Sequence, residues 1–173
     1  MNEILLSILT GLISGVISSL LFFWIISRMR PKMSISTAIC KGVDSVGTFY
    51  GFKILNNSKY NVLDLKIEVI LKKPFNSNGG ANHSNVWIEL KRDGIIQFPR
   101  YRKDDKSAGY ALIVATRDNL DALWCDDAQS LEVIVHGKHS FSGISKSFTQ
   151  NYYTKKSCIK EGIFNFGQTF EIS

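Results

Sequence analysis

Residues 4–26, ILLSILTGLISGVISSLLFFWII, run for 23 positions without a charged side chain. At about 1.5 Å per residue this makes roughly 35 Å of helix, enough to cross a bilayer core of about 30 Å with some tilt. Ser7, Thr10, Gly11, Ser14, Gly15 and Ser18 follow i, i+3, i+4, i+7, i+8, i+11 and share one face. Leu9, Leu12, Ile13, Val16 and Leu20 take the other. A simple tether has no need of this asymmetry. Helices that pack against copies of themselves do, because small side chains admit close backbone approach and hydroxyls can bond across the contact. The plainer alternative is a span that merely tolerates Gly and Ser, which are common in membrane helices. A hydroxyl-lined conduction path is a further step.

Glu3 is the only charged side chain before the run, and Arg28, Arg30 and Lys32 follow it directly. The positive-inside rule therefore predicts a short N-terminus outside and the remainder in the cytoplasm, as for a single-pass protein of the bacterial inner membrane. Trp24 stands near the basic end, where an indole commonly sits at headgroup level. With no basic n-region and no A-x-A-like site, the segment reads as a retained anchor rather than a cleaved signal. The three cations after it contribute about 1 kcal/mol each toward anionic lipid.

The expected division is 1–30 for the helix and its basic flank and 31–173 for one cytoplasmic domain. Of 21 Lys and Arg and 15 Asp and Glu, two and one respectively precede Pro31, leaving 19 against 14 in that domain. The surplus favours anionic partners, either lipid headgroups or nucleic acid, or serves solubility alone. Cys40, Cys125 and Cys158 are odd in number and widely spaced, which suits a reducing compartment and argues against a disulfide framework or zinc knuckle. The Asn-x-Ser sequences at Asn56 and Asn82 carry no weight in the cytosol.

Alternation is clearest at Leu63, Leu65, Ile67, Val69 and Leu71, interleaved with Asp64, Lys66 and Glu68, which predicts a half-buried strand. Similar runs occur at 33–41, 48–56, 86–92, 95–98, 110–115, 131–137, 140–150 and 162–172. Arg92-Asp93-Gly94 predicts a hairpin between 86–92 and 95–98, and 117–128 suggests a short helical turn. The polar, Gly-rich stretch 76–85 reads as a mobile loop. Strands of this number and spacing predict a mainly β chain: an antiparallel β-sandwich of immunoglobulin type behind one transmembrane helix.

Catalytic chemistry is sparse. His83, His136 and His139 are too separated for a metal cluster, although the last two could meet across a strand end. Asp104-Asp105 and Asp126-Asp127 are adjacent carboxylates that an extended chain points to opposite faces. No phosphate loop, nucleophile elbow or H-E-x-x-H is present, so an enzyme is not expected and no cofactor is implied. The best ligand candidate is 98–106, FPRYRKDDK, where Arg100, Arg102 and Lys103 flank Tyr101. Cations that neutralise phosphates beside an aromatic that stacks a base are what single-stranded nucleic acid binding requires. A second such cluster ends in Lys155 and Lys156. The alternative for both is a solvated loop whose cations lie over apolar surface.

Two stretches resemble the cytoplasmic domain of inward-rectifier potassium channels and their bacterial relatives. In YGFKILNNSKYNVLDLKIEVILKK, residues 50–73, an aromatic–basic strand meets an Asn/Ser turn and then an alternating strand. In residues 131–172, a strand ending at Gly137 is followed by a bend at Ser142-Gly143, a strand closing on Tyr152, and Gly162-Ile163-Phe164. The resemblance implies a cytoplasmic β-sandwich of a kind that assembles as a tetramer beneath a membrane pore. The chain has no T-x-G-Y-G filter, pore helix or second span, so potassium selectivity is not inherited. In outline it is similar to Hailong-type anti-phage effectors, which pair a membrane helix with a β-rich sensor gated by a nucleotide-derived ligand. The function expected is thus a self-associating membrane effector that forms or gates an ion pore under control of a nucleotide or single-stranded DNA. The alternative is an anchor presenting its sandwich to a cytoplasmic protein partner.

Overall fold

The computed structural model describes residues 2–125 and 128–173, so the Asp126-Asp127 pair lies outside the described residues. The apolar run is the core of helix α1 (Asn2–Arg28), whose large apolar side chains from Ile4 to Ile25 stand exposed. At 27 residues it is about 40 Å long, and it is apolar enough to cross a membrane. Thereafter come β1 (Met33–Ile35), β2 (Ile39–Asp44), β3 (Gly47–Asn56), β4 (Val62–Ser77), β5 (Gly80–Ile88), β6 (Gly94–Phe98) and β7 (Ala111–Thr116). A short α2 (Leu120–Leu123), β8 (Ser130–His139), β9 (Ser145–Tyr152), α3 (Lys155–Cys158) and β10 (Ile159–Glu161) complete the order.

The strands form the two packed sheets expected from the sequence. In one, β3 lies between β7 and a broken edge made of β1 and β2, with β10 outside β2. In the other, β4 pairs with β8 on one side and with β5 and β6 in succession on the other, and β9 lies beyond β8. Phe52, Ile54 and Ile39 from the first sheet meet Ile67, Val69, Val133, Val135 and Tyr152 from the second. Tyr152 sends its hydroxyl across the sandwich to the Ser36 carbonyl, 2.6 Å away, so the layers share a buried hydrogen bond as well as apolar surface.

Several local expectations are corrected. Residues 76–85 are not a loop: apart from a turn at Asn78-Gly79, they continue the β4–β5 hairpin. That arm runs past the core and has no face to bury, which is why alternation vanishes there. Arg92-Asp93-Gly94 does not close a hairpin, because β5 and β6 pair end to end along the same edge of β4. The 140–150 run becomes a strand only from Ser145. Residues 162–172 fold back on themselves with a single bridge, Phe164 to Ile172, instead of forming one strand. The sandwich is also not wholly antiparallel, since β10 pairs with β2 in parallel.

The alternating strand changes phase. Asp64 adopts φ 51°, and the β4–β8 register slips between Leu63 and Lys66, which marks a β-bulge. An extra residue reverses side-chain parity, so Val62 rather than Leu63 enters the core. Val62 packs so closely over Gly137 that a Cβ there would lie 2.4 Å from Val62 Cγ1.

β3 is buried on both faces because the C-terminal segment covers its outer side. Lys53, 1% exposed, donates to the carbonyls of Asn165 and Thr169 at 2.6 and 2.7 Å. Burial pulls its ammonium pKa down. Tyr152→Phe removes the hydroxyl and leaves the Ser36 carbonyl unpartnered, which should cost about 1–3 kcal/mol, read as a lower urea midpoint with unchanged m-value.

Candidate functional site

Strands β3, β6 and β8 run toward the end of the sandwich where α1 enters, and β4, β7 and β9 run away from it. The segments between them, 57–61, 99–110 and 140–144, therefore gather beside the helix exit. Hydrogen bonds tie them together. The Lys32 N–H donates to Ser58 Oγ at 2.8 Å, and the Asn57 N–H donates to the Lys32 carbonyl at 2.8 Å. The Arg100 N–H reaches Asn61 Oδ1 at 2.9 Å, and the Ser140 N–H reaches the Asn61 carbonyl at 3.1 Å. Ser142 Oγ donates to the Met29 carbonyl at 2.5 Å, joining the β8–β9 turn to the chain just after α1.

These segments enclose an open cleft of about 580 Å³ lined by Tyr60, Asn61, Pro99, Arg100, Arg102, Asp105, Ser107 and Ser140. Among the described residues neither the Arg100 nor the Arg102 guanidinium donates a hydrogen bond or closes an ion pair. Asp105, by contrast, is occupied. Its carboxylate accepts from Ser107 N–H and Oγ at 2.9 and 2.5 Å and from the Gly109 N–H at 3.0 Å. The Ser107 hydroxyl and amide hold its pKa below the usual carboxylate range. The Asp105 carboxylate therefore stays ionised and feels the Arg102 charge, but its hydrogen bonds are spent within its own loop.

Of the residues marked in the sequence, Arg100 and Arg102 line the cleft, and Lys103 is exposed on the same loop outside it. Tyr101 turns away. Its ring meets Tyr110 edge-on at 4.9 Å and joins the small cluster of Leu55, Ala108 and Phe170. The aromatic that faces the cleft is Tyr60, 39% exposed, which the sequence reading left unmarked. Lys155 and Lys156 lie at the far end of β9 and are not brought to the arginines. Lys155 Nζ instead donates to the Asp121 carbonyl at 3.0 Å, while Lys156 is exposed.

Asn56 was also missed. Fully buried, it donates through Nδ2 to the Phe98 and Pro99 carbonyls at 3.2 and 2.8 Å, and its Oδ1 accepts from the Ser58 N–H at 2.9 Å. It thereby fixes both walls of the cleft. Its one visible signal was the Asn-Asn-Ser turn after a strand.

On the helix, Gly11 and Gly15 have open space where a Cβ would stand, and Ser7, Thr10, Ser14 and Ser18 are exposed beside them. The Thr10 hydroxyl is bonded to the Leu6 carbonyl at 2.7 Å, within its own helix. The histidines of β8 do not meet. His136 is exposed and bonds Ser147 Oγ at 3.0 Å, whereas His139 is buried against Tyr60 with ring centroids 4.9 Å apart. Among the described residues no three His, Cys, Asp or Glu side chains gather to hold a metal ion.

A second, smaller cavity of about 320 Å³ lies at the opposite end, lined by Lys41, Thr48, Tyr50, Arg117, Asn119 and Asp121. Its charges are mutually satisfied: Lys41 Nζ is 2.7 Å from Asp121 Oδ2, which also accepts from Tyr50 Oη at 2.9 Å, and Arg117 pairs with Asp44 at 2.7 Å. No protein-family model matches the chain, and no curated protein matches it.

Two outcomes are expected. Asn56→Ala leaves the buried Ser58 N–H without its acceptor and cuts the tie to the Phe98 and Pro99 carbonyls, which should lower stability by about 1–3 kcal/mol in urea unfolding. Burial lowers the His139 pKa, so the unfolded chain takes up a proton more readily than the folded one. Stability from this site is complete above the unfolded value of about 6.5 and is lost as pH falls through the folded value. His139→Phe should flatten that part of the stability–pH curve.

Proposed function

We propose that the chain is a membrane-anchored effector whose helices associate along the Ser7–Ser18 face and whose sandwich, on the cytoplasmic side, controls that assembly through a phosphate-bearing ligand. The observation that carries the reading is the position of the cleft: two guanidinium groups without a hydrogen-bond partner among the described residues open beside the junction of sandwich and helix. A ligand bridging Arg100 and Arg102 draws on the 57–61, 99–110 and 140–144 segments together, and the last of these holds the Met29 carbonyl. Unpaired guanidinium groups favour phosphate, and Tyr60 offers a ring face to a base, which supports a nucleotide or single-stranded DNA. The energetic demand is modest. A two-state helix bundle needs only a few kcal/mol of differential ligand binding to change its dominant state.

In this reading the assembled helices form or gate an ion-conducting pore, and the resemblance to channel cytoplasmic domains suggests a tetramer. The bacterial inner membrane and anti-phage defence by depolarisation are the setting that the outline similarity suggests. The small-residue face supports self-association because bulk there is absent where neighbouring backbones would approach.

Gly11→Leu with Gly15→Leu should abolish both dye leakage and toxicity in expressing cells while leaving the protein in the membrane. Unchanged leakage would remove the helix face from the mechanism. For the ligand, filter binding of single-stranded oligonucleotides should weaken steeply with added salt, and Arg100→Glu with Arg102→Glu should abolish it. A flat salt response would exclude nucleic acid.

A second reading has one observation in its favour. The β4–β5 arm exposes Phe75 and Trp87, 46% and 62% accessible, on a hairpin whose β5 strand is at the edge of its sheet among the described residues. Such an edge suits a protein partner. Replacing α1 by an unrelated membrane helix separates the two readings, since a partner-binding anchor keeps its activity and a pore former loses it.

A further inference from the structure

We propose that the β8–β9 turn is an interfacial foot that docks the sandwich on the anionic lipid surface of the leaflet that α1 leaves, with Phe141 inserted at headgroup depth. The inference rests on the reading of α1 as a membrane span and adds a docking surface to it. The first ground is position. Ile26 ends the apolar run, Arg28 ends the helix, and the next carbonyl, that of Met29, accepts from Ser142 Oγ at 2.5 Å. Successive Cα atoms are about 3.8 Å apart, so Phe141 lies within about 10–15 Å of the last apolar turn whatever the tilt of the helix. The headgroup layer extends about 5–8 Å beyond the hydrocarbon on each side. A turn bonded to Met29 is thus tethered within reach of that layer.

The second ground is chemistry. Phe141 is 68% exposed at the tip of its turn, an unfavourable place for a phenyl ring in water. It leans toward Tyr60 at 6.0 Å between ring centroids, and Tyr60 packs on His139, so the ring has a firm base. Around it stand exposed cations: Arg28 and Arg30 before the junction, Lys32 within it, Lys59 beside Tyr60, and Lys138 at the end of β8. Segments 57–61 and 138–144 contain no acidic residue. Arg28 lies over the Trp24 ring at 4.4 Å, which continues the same aromatic–basic pattern into the helix. Aromatic rings bordered by Lys and Arg are favoured at a membrane–water interface, the ring at the acyl boundary and the cations among lipid phosphates. Docked in this way, the cleft opens at the level of the headgroups, and a ligand must approach along the membrane surface.

The test uses the full chain carrying Cys125→Ser and Cys158→Ser, reconstituted in nanodiscs containing phosphatidylglycerol and phosphatidylcholine. A nitroxide is placed in turn at Phe141→Cys, at Ile13→Cys within the helix, and at Val46→Cys. Val46 lies in the β2–β3 turn at the opposite end of β3, about 30 Å away. Collision with lipid-borne oxygen is compared with collision with an aqueous nickel chelate. The label at Ile13→Cys should favour oxygen and the one at Val46→Cys should favour nickel, and the label at Phe141→Cys should lie between them, with more oxygen and less nickel than Val46→Cys. Nanodiscs of phosphatidylcholine alone should shift the Phe141→Cys label toward nickel. In a separate chain, a label at Lys138→Cys should become more accessible to nickel when Phe141→Asp is added. An aqueous Phe141→Cys with a lipid-exposed Ile13→Cys overturns the docking and leaves the membrane span intact. An aqueous Ile13→Cys overturns both. Indifference of Phe141→Cys to lipid charge, or of Lys138→Cys to Phe141→Asp, likewise refutes the foot.

Discussion

A buried polar lattice at the point where the helix joins the sandwich governs everything near it. Lys32 and Ser58 exchange hydrogen bonds directly and through Asn57, Ser58 is held by Asn56, and Asn56 reaches across to the carbonyls of Phe98 and Pro99. Asn56 and Ser58 are withdrawn from water, so a lost partner there would leave a donor or acceptor without solvent to replace it. The lattice therefore has one low-energy arrangement. That arrangement sets where α1 leaves the domain and how the 57–61 and 99–110 segments are held together at the cleft.

The two ends of the sandwich use charge in opposite ways. At the far end, Lys41, Tyr50 and Asp121 satisfy one another, and hydrogen bonding from Lys41 keeps the Asp121 carboxylate below its usual range. Such closure suits a structural role. At the helix end Asp105 is turned into its own loop by Ser107 and Gly109, and no hydrogen bond to the Arg100 or Arg102 guanidinium forms among the described residues. Lys53 shows a third use: its ammonium is buried against two carbonyls and clamps the C-terminal segment over β3. A strand that would otherwise present an open face to water becomes central in both directions.

Much of the architecture was legible along the chain because burial imposes period. The apolar helix, the strands with one wet face and the short turn at Leu120–Leu123 all announce themselves through spacing. Signals failed where a residue's setting was not periodic. The β4–β5 arm has no buried face, so its strands looked like loop. The bulge at Asp64 reversed the phase of a strand whose letters alternate without a break, exchanging Leu63 for Val62 in the core. Likewise, FPRYRK marked the basic loop but could not say which of its side chains faced outward. Tyr101 was claimed by Tyr110 and Phe170, and Tyr60 came from another segment to take the exposed position.

By itself the sequence determined a membrane-length helix, its basic flank and a two-sheet β domain, because hydrophobic length and alternation are local properties that survive any arrangement of the rest. Tertiary structure alone decided that Arg100 and Arg102 meet Tyr60 and Asn61, that Lys155 and Lys156 do not join them, and that the cleft opens beside the helix. Those outcomes depend on strand direction and register, which bring residues some 40 positions apart within reach of side-chain-to-backbone hydrogen bonds and leave no trace in the spacing of neighbours.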